Sequence, residues 1–165
     1  MAELPKRKRL RLPEYDYGQN GAYFVTFCTE GRRHLLGTVG RDDLGAPAVH
    51  LSRCGTIVDS YIRSIPKAYS NVCLEKYVVM PNHVHLILRI MGNGAPGSSR
   101  PTQLLSRMIA AVKRFSNRDA GMNIWQSSFY DHVIRDDNDF LHVWTYIDTN
   151  PAKWAEDCYD AEGTL

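Results

Sequence analysis

The chain has 165 residues, a hydrophobic fraction of 44% and a formal net charge of +2, so we expect one domain with enough chain to bury a core. Its apolar runs stay well short of the roughly 18 residues that a membrane helix needs, and the basic start lacks the apolar segment of a secretory signal. The four cysteines form no CxxC pair, which favours reduced thiols over a zinc site. We therefore expect a cytoplasmic protein with no membrane contact.

The first predicted elements are a basic arm and a strand. Residues 1–18 carry two prolines and a run of basic side chains, which is typical of an irregular arm. The segment Gly21–Cys28 is rich in aromatic and β-branched residues, which predicts the first strand. We expect a single domain over residues 19–157. Residues 38–50 are ambiguous, and within them residues 46–50 fit either a short edge strand or a loop.

The middle of the chain predicts a helix, a strand pair and a second helix. Apolar residues from Ile57 to Ile65 recur at helical spacing, with Pro66 near the helix end. Two apolar, β-branched runs then flank Pro81-Asn82, a turn dipeptide. A glycine-rich loop over residues 91–101 precedes an amphipathic helix over about residues 102–118.

The last predicted elements are a strand over residues 127–134 and a third helix that ends near Ile147. Asp136 or Asp137 can cap this helix. Asn150-Pro151 should end it, because the residue before proline avoids the α region, and a short helical turn should follow before the tail 158–165. This order predicts an α+β fold, a ferredoxin-like βαββαβ antiparallel sheet with an extra C-terminal helix.

Two histidines mark the second strand of the central pair. His83 and His85 alternate with Val84, so in a strand they share one face and lie about 6–7 Å apart along it. Two imidazoles in this position can converge on one divalent ion. The alternative is that one ring packs in the core and the other at its rim, although an unpaired polar group in so apolar a run costs roughly 1–3 kcal/mol.

The segment Val78–His85, Val-Val-Met-Pro-Asn-His-Val-His, resembles the HUH motif of single-strand DNA nucleases. It is most similar to the form found in the REP-associated tyrosine transposases, which are single-tyrosine HUH transposases. The resemblance extends over about residues 21–154 and is weakest at residues 30–56. It implies the ferredoxin-like sheet that the order of elements predicts independently, although this fold hosts many activities.

The predicted third helix contains Tyr146, and Asn150 follows four residues later on the same helix face. In the family, a helix after the HUH motif carries the catalytic tyrosine, and a polar residue one turn later completes the metal site. The resemblance therefore implies that Tyr146 is the nucleophile and that His83, His85 and Asn150 hold Mg²⁺ or Mn²⁺. Alternatively, Tyr146 packs at the core edge and Asn150 caps the next segment.

A second tyrosine competes for the role of nucleophile. The segment 124–132 also resembles the stretch that precedes the tyrosine helix in this family, and it contains Tyr130 and His132. The two side chains alternate along a predicted strand, so they face the same way. We expect them to be structural or accessory, in contact with the substrate, rather than catalytic.

The chemistry that the resemblance implies is cleavage and transfer of single-stranded or hairpin DNA through a 5′-phosphotyrosine. Nine basic residues are candidates for DNA contacts: Lys6, Arg7, Lys8, Arg9, Arg11, Arg100, Arg107, Lys113 and Arg114. A solvated surface explains each charge run equally well when it is taken singly. Family members are often dimers, so a homodimer is one expected assembly.

Two other functions fit parts of the pattern. A DNA-hairpin-binding or regulatory module would keep the fold without catalysis, which the intact histidines and Tyr146 argue against. A rolling-circle replication initiator would share the chemistry, but the sequence contains no P-loop and only one well-placed tyrosine.

Overall fold

The structure is a computed structural model that describes residues 21–92 and 104–156. Several predicted features lie outside the described residues. These are the basic arm with Lys6, Arg7, Lys8, Arg9 and Arg11, the candidate Arg100, and the tail 158–165.

Six strands and three α-helices make up the fold. In chain order they are β1 (Gly21–Cys28), β2 (Gly37–Arg41), β3 (Pro47–Leu51), α1 (Arg53–Ala68), β4 (Val72–Val79), β5 (His83–Ile90), α2 (Leu104–Ala120), β6 (Tyr130–Ile134) and α3 (Asp137–Thr149). The described residues also include a 3-10 turn at Glu30–Arg32 and a C-terminal 3-10 helix at Pro151–Glu156. None of the helices in these ranges is both long and apolar enough to cross a membrane.

The main sheet has four antiparallel strands in the order β4-β5-β1-β6. Together with α1 and α2 they give the βαββαβ order of a ferredoxin-like sheet, and α3 is the added helix. The predicted fold class is confirmed. The histidine strand β5 lies between β4 and β1, so it is an interior strand, as the hairpin predicted.

The two faces of this sheet are covered by different helices. On one face, residues such as Tyr23, Val25 and Leu86 pack with α1 and α2 in the larger core. On the other face, Phe24 and Ile87 pack against α3 in a smaller core. Because side chains alternate along a strand, the odd-numbered positions of β5, including both histidines, lie on the α3 face.

The segment in which the sequence pattern is weakest forms a separate hairpin. Strands β2 and β3 pair with each other, so the uncertain residues 46–50 lie largely in a strand and residues 37–41 form a second one that the pattern did not predict. The hairpin returns the chain close to α1: a side chain on Gly55 would place Cβ 1.9 Å from the carbonyl oxygen of Leu36. Its strands are short and partly exposed, which explains the weak alternation of apolar residues.

Helix α3 begins and ends close to the predicted residues, but its C-terminal end forms for a different reason than the one predicted. Asp136 is the N-cap, and its carboxylate accepts from the Asp139 backbone N–H at 2.8 Å. The helix ends at Thr149, yet Asn150 keeps α-helical dihedral angles of −59° and −43°. The expectation that Asn150 would leave the α region was therefore wrong. Pro151 ends the α-helix because it has no N–H to donate, and the chain tightens into the C-terminal 3-10 helix instead.

Candidate functional site

The two histidines of β5 form a buried pair on the α3 face. His83 is 0% exposed and His85 is 1% exposed, and their ring centroids lie 4.4 Å apart. The side chain of Asn82 orients the first ring. Its Nδ2 donates to the carbonyl oxygen of Arg32 at 3.1 Å, which turns Oδ1 toward Nδ1 of His83 at 2.8 Å. An amide oxygen can only accept, so the neutral His83 carries its proton on Nδ1 and its lone pair on Nε2.

His85 is held by β1. Its Nδ1 lies 2.6 Å from the hydroxyl oxygen of Thr26, and its ring stacks on Phe24 with centroids 5.3 Å apart. Burial lowers the pKa of His85 well below its ordinary value, and the neighbouring His83 lowers it further. The imidazole is therefore neutral at physiological pH, which is the form that ligates metal ions.

Tyr146 on α3 lies against this pair. Its ring centroid is 5.1 Å from that of His85 and 6.1 Å from that of Phe24, and 37% of the residue is exposed. The structure therefore brings Tyr146 to the histidines, as predicted, while leaving part of it open to solvent.

The rival Tyr130 is placed less favourably for nucleophilic attack. It lies on β6, and β1 separates that strand from the histidine strand β5. Its ring contacts Phe24 at 6.5 Å, so it borders the same face. His132, two residues along β6, has its Nε2 2.8 Å from a carboxylate oxygen of Asp139 and is thereby tied to the start of α3. Both residues lie beside the site, in positions that suit accessory roles.

Asn150 is buried and lies, along the chain, midway between two residues that contact the histidine rings. Tyr146, four positions earlier, packs on His85, and Trp154, four positions later, stacks on His83 with centroids 6.0 Å apart. Asn150 is 2% exposed, and its side-chain oxygen has no hydrogen-bond partner among the described residues. A buried carbonyl oxygen in this state is costly.

The donor set fits a divalent ion. Two neutral imidazoles and one buried amide oxygen match the mixed nitrogen and oxygen ligands that Mn²⁺ and Mg²⁺ accept, and a cation would give the Asn150 oxygen the partner that it lacks. No cluster of three or more histidine, cysteine or acidic residues suited to a metal occurs in residues 21–92 or 104–156. Asn150 as the third ligand therefore stays a prediction.

The basic candidates on α2 lie away from this site. Helix α2 packs on the opposite face of the sheet from the histidines, where Arg107 and Arg114 are exposed. Lys113 is engaged internally: its ammonium group donates to the carbonyl oxygens of Gln126 and Ser128 at 2.8 and 2.7 Å. DNA contacts by these three residues stay a prediction, and the structure does not bring them to the histidines.

A segment that the sequence did not single out borders the site. The turn Glu30–Arg32 places exposed Arg32 and Arg33 next to Asn82, whose amide bonds to the Arg32 carbonyl oxygen. Arg32 has a φ of +53°, which a side chain disfavours. The run Gly31-Arg-Arg-His34 was visible in the sequence as a glycine followed by basic residues, but it falls where the family resemblance is weakest.

Comparisons with known proteins bear on this arrangement. No family model matches the chain. The chain is 28% identical over 174 residues to an uncharacterized protein of Haemophilus influenzae, covering 94% of both chains. It is 29% identical over 154 residues to a protein of the same organism named putative REP-associated tyrosine transposase, covering 84% of this chain and 74% of the other. It is 32% identical over 89 residues to the REP-associated tyrosine transposase of Escherichia coli, spanning half of that protein.

The chain is related to the REP-associated tyrosine transposases. The resemblance read from the sequence is confirmed by these relatives. The fold agrees too: a solved REP-associated tyrosine transposase, bound to a REP hairpin, superposes with a TM-score of 0.63 at 23% identity, covering 87% of this chain and 73% of that chain. The segments that resemble the REP-associated transposases, around the histidines and around Tyr146, are those that meet on the α3 face.

Proposed function

We propose that this chain is a metal-dependent endonuclease and strand transferase for single-stranded or hairpin DNA, of the transposase type. One observation carries the proposal: His83 and His85 lie on the sheet face that α3 covers, and α3 lays the ring of Tyr146 5.1 Å from that of His85. A histidine pair beside a partly exposed tyrosine suits the attack of a phenol on a phosphodiester.

His83, His85 and Asn150 are the residues that would hold the divalent ion. Bound there, Mg²⁺ or Mn²⁺ would withdraw negative charge from the scissile phosphate and help to orient it. The chain's own contribution is rigidity, because Asn82 and Thr26 fix the two rings and the sheet excludes water from them. Two imidazoles favour Mn²⁺, whereas cellular abundance favours Mg²⁺.

Tyr146 supplies the nucleophile. Its phenolic oxygen would attack the phosphorus, the bond from phosphorus to the 3′ oxygen would break, and the departing oxygen would take up a proton. The products are a 5′-phosphotyrosine on the protein and a DNA strand with a 3′-hydroxyl. A second strand's 3′-hydroxyl can reverse the step, so strand transfer conserves the bond energy and needs no nucleotide cofactor.

Hairpin DNA is the substrate that the comparisons favour. The solved relative carries a REP hairpin, and its fold matches this chain over most of its length. Single-stranded DNA flanking such a hairpin would expose the scissile phosphate to a site that lies on one face of a sheet. The exposed aromatic Tyr130 at the edge of that face is a suitable platform for an unpaired base.

The test is covalent trapping. Labelled hairpin DNA with single-stranded flanks would be incubated with the protein and Mn²⁺ or Mg²⁺, and the product separated under denaturing conditions. We expect a protein–DNA adduct that EDTA prevents, that Tyr146→Phe abolishes, and that Tyr130→Phe leaves within a few-fold of wild type.

The opposite pattern would contradict the assignment. An adduct that survives in Tyr146→Phe and is lost in Tyr130→Phe makes Tyr130 the nucleophile. Tight hairpin binding with no adduct, in either metal and across several hairpins, would identify a binding module instead of an enzyme.

A further inference from the structure

We propose that Arg32, Arg33 and His34, here called the basic rim, together with Trp154 hold the single-stranded DNA that flanks the scissile phosphate. This inference rests on the proposed function, since it names where the flanking strand would lie. It assigns a substrate-binding role to a segment in which the family resemblance is weakest and to an aromatic side chain beyond the tyrosine helix.

The basic rim is physically joined to the histidine pair. The side chain of Asn82 connects the Arg32 carbonyl oxygen at 3.1 Å to the Nδ1 of His83 at 2.8 Å. Thr29 anchors the other side of the turn, since its hydroxyl donates to the carbonyl oxygens of Arg33 at 2.7 Å and Asn82 at 3.1 Å. A phosphate next to the one at the histidines would therefore lie within reach of these arginine side chains.

Trp154 closes the site from the other side. Its indole stacks on His83 with centroids 6.0 Å apart and an angle of 27°, and it meets the ring of His34 edge-on at 5.4 Å. Trp154 is half-buried, so part of its surface is open. An aromatic side chain beside exposed arginines is the combination with which proteins hold single strands, by stacking on bases and pairing with phosphates.

The backbone of Arg32 is the most telling detail. Among the described residues, Arg32 is the one residue other than glycine with a positive φ, at +53°. Glycine occupies such positions without steric cost, and asparagine does so more readily than arginine. A residue other than glycine in this conformation, beside a candidate site, points to a use for its side chain there.

The side chains in and around the basic rim are mostly basic, which suits the binding of a polyanion. Arg32, Arg33 and Lys153 are exposed and basic, and Glu30 is the exposed acid of the same turn. The Arg33 Nε donates to the backbone carbonyl oxygen of Glu30 at 3.3 Å. Guanidinium groups bind phosphate oxygens in a bidentate manner, so a few nucleotides of single strand fit this surface better than a duplex stem does.

Arg32→Gly provides a sharp test, because glycine relieves the strained backbone while removing the side chain. Binding would be measured in EDTA by fluorescence anisotropy with two probes, a bare hairpin and the same hairpin with a single-stranded flank. We expect the melting temperature of the variant to equal or exceed that of wild type. Its affinity for the flanked hairpin should fall about 10-fold, as for loss of a charged hydrogen bond, and its affinity for the bare hairpin should stay within twofold.

Two further variants complete the design. Lys67→Ala removes the same charge from the last turn of α1, on the opposite face of the sheet, and should bind both probes as wild type does. Arg33→Ala should repeat the selective loss. The inference is wrong if Arg32→Gly binds the flanked hairpin as tightly as wild type, or if it loses affinity equally for both probes. Adduct formation by the wild type is measured separately. Failure of the proposed catalysis can therefore be distinguished from failure of the proposed strand binding by the basic rim.

Discussion

At the scale of single residues, Asn150 is the residue on which the proposed metal site can be tested. Its buried side-chain oxygen has no hydrogen-bond partner among the described residues, so a bound ion should stabilise the protein. At a hundredfold excess over Kd, one site contributes about 2.7 kcal/mol, which is roughly 5–10 °C in melting temperature for a domain of this size.

We therefore predict that millimolar Mn²⁺ raises the melting temperature of wild type and that Asn150→Ala loses most of this rise. Thermal unfolding in EDTA and in Mn²⁺ measures both. Thr145→Ala is the control, because Thr145 is exposed on the same helix. An equal rise in wild type and Asn150→Ala would exclude Asn150 as a ligand.

A second residue-scale prediction concerns Lys113. Burial lowers the pKa of its ammonium group from 10.5 to about 8, against a smaller opposing effect of Cys28. Between pH 8 and 10.5 the unfolded chain keeps this proton and the folded chain releases it, so this group makes stability rise with pH. We predict that the unfolding free energy of wild type relative to Lys113→Met increases from pH 8 to pH 10. Urea unfolding of both proteins checks it, and a constant difference would show that the lysine stays protonated in the folded state.

At the scale of elements, α3 carries Tyr146, the proposed nucleophile, and is tied to the sheet edge by Lys76 of β4. The Lys76 ammonium lies 2.5 Å from the Asp148 carboxylate and 4.4 Å from the centroid of the Trp144 ring. Each contact contributes up to about 1 kcal/mol at a partly exposed site. Both partners are on α3, so the two contacts position Tyr146 against His85.

We predict that Lys76→Met loosens α3 selectively. Amide exchange should become faster in α3 and stay unchanged in α1, and the rate of adduct formation should fall several-fold. The control is Lys67→Met, which changes the same charge on the opposite face. Unchanged α3 exchange in Lys76→Met would mean that the smaller apolar core around Phe24 and Val143 holds the helix by itself.

At the scale of the whole molecule, the sheet separates two basic surfaces. The basic rim borders the histidine face, whereas Arg107 and Arg114 of α2 lie on the other face. Residues on the far face can add affinity through the phosphate backbone of a bound hairpin, but they cannot touch the reacting phosphate.

We predict that the double variant Arg107→Ala/Arg114→Ala weakens hairpin binding a few-fold and flattens its salt dependence. The rate of adduct formation at saturating protein should not change. Anisotropy titrations at several salt concentrations and single-turnover trapping measure the two quantities. A lower rate at saturation would place these arginines in the catalytic machinery. The expected homodimer stays a prediction, which light scattering of the purified chain tests.

The sequence alone was sufficient to predict side-chain placement wherever a local residue pattern is compatible with one conformation. The alternation of His83 with Val84 on an apolar strand places both rings on one face because side-chain direction has a period of two. Tyr146 and Asn150 share a helix face because helical positions four apart are neighbours. These rules, with the order of the elements, predicted the sheet and the interior position of β5, whereas the meeting of the histidine strand with the tyrosine helix was what the family resemblance implied.

Only the tertiary structure decided how these local patterns combine. The stacking of Trp154 on His83, the contact of Tyr146 with His85, and the Asn82 contact from Arg32 to His83 all join residues far apart in the chain. The placement of α2 on the opposite face is equally non-local, since an amphipathic pattern shows which side of a helix is buried but not which face of the sheet covers it. Long-range packing places the basic rim beside the histidines and the arginines of α2 away from them.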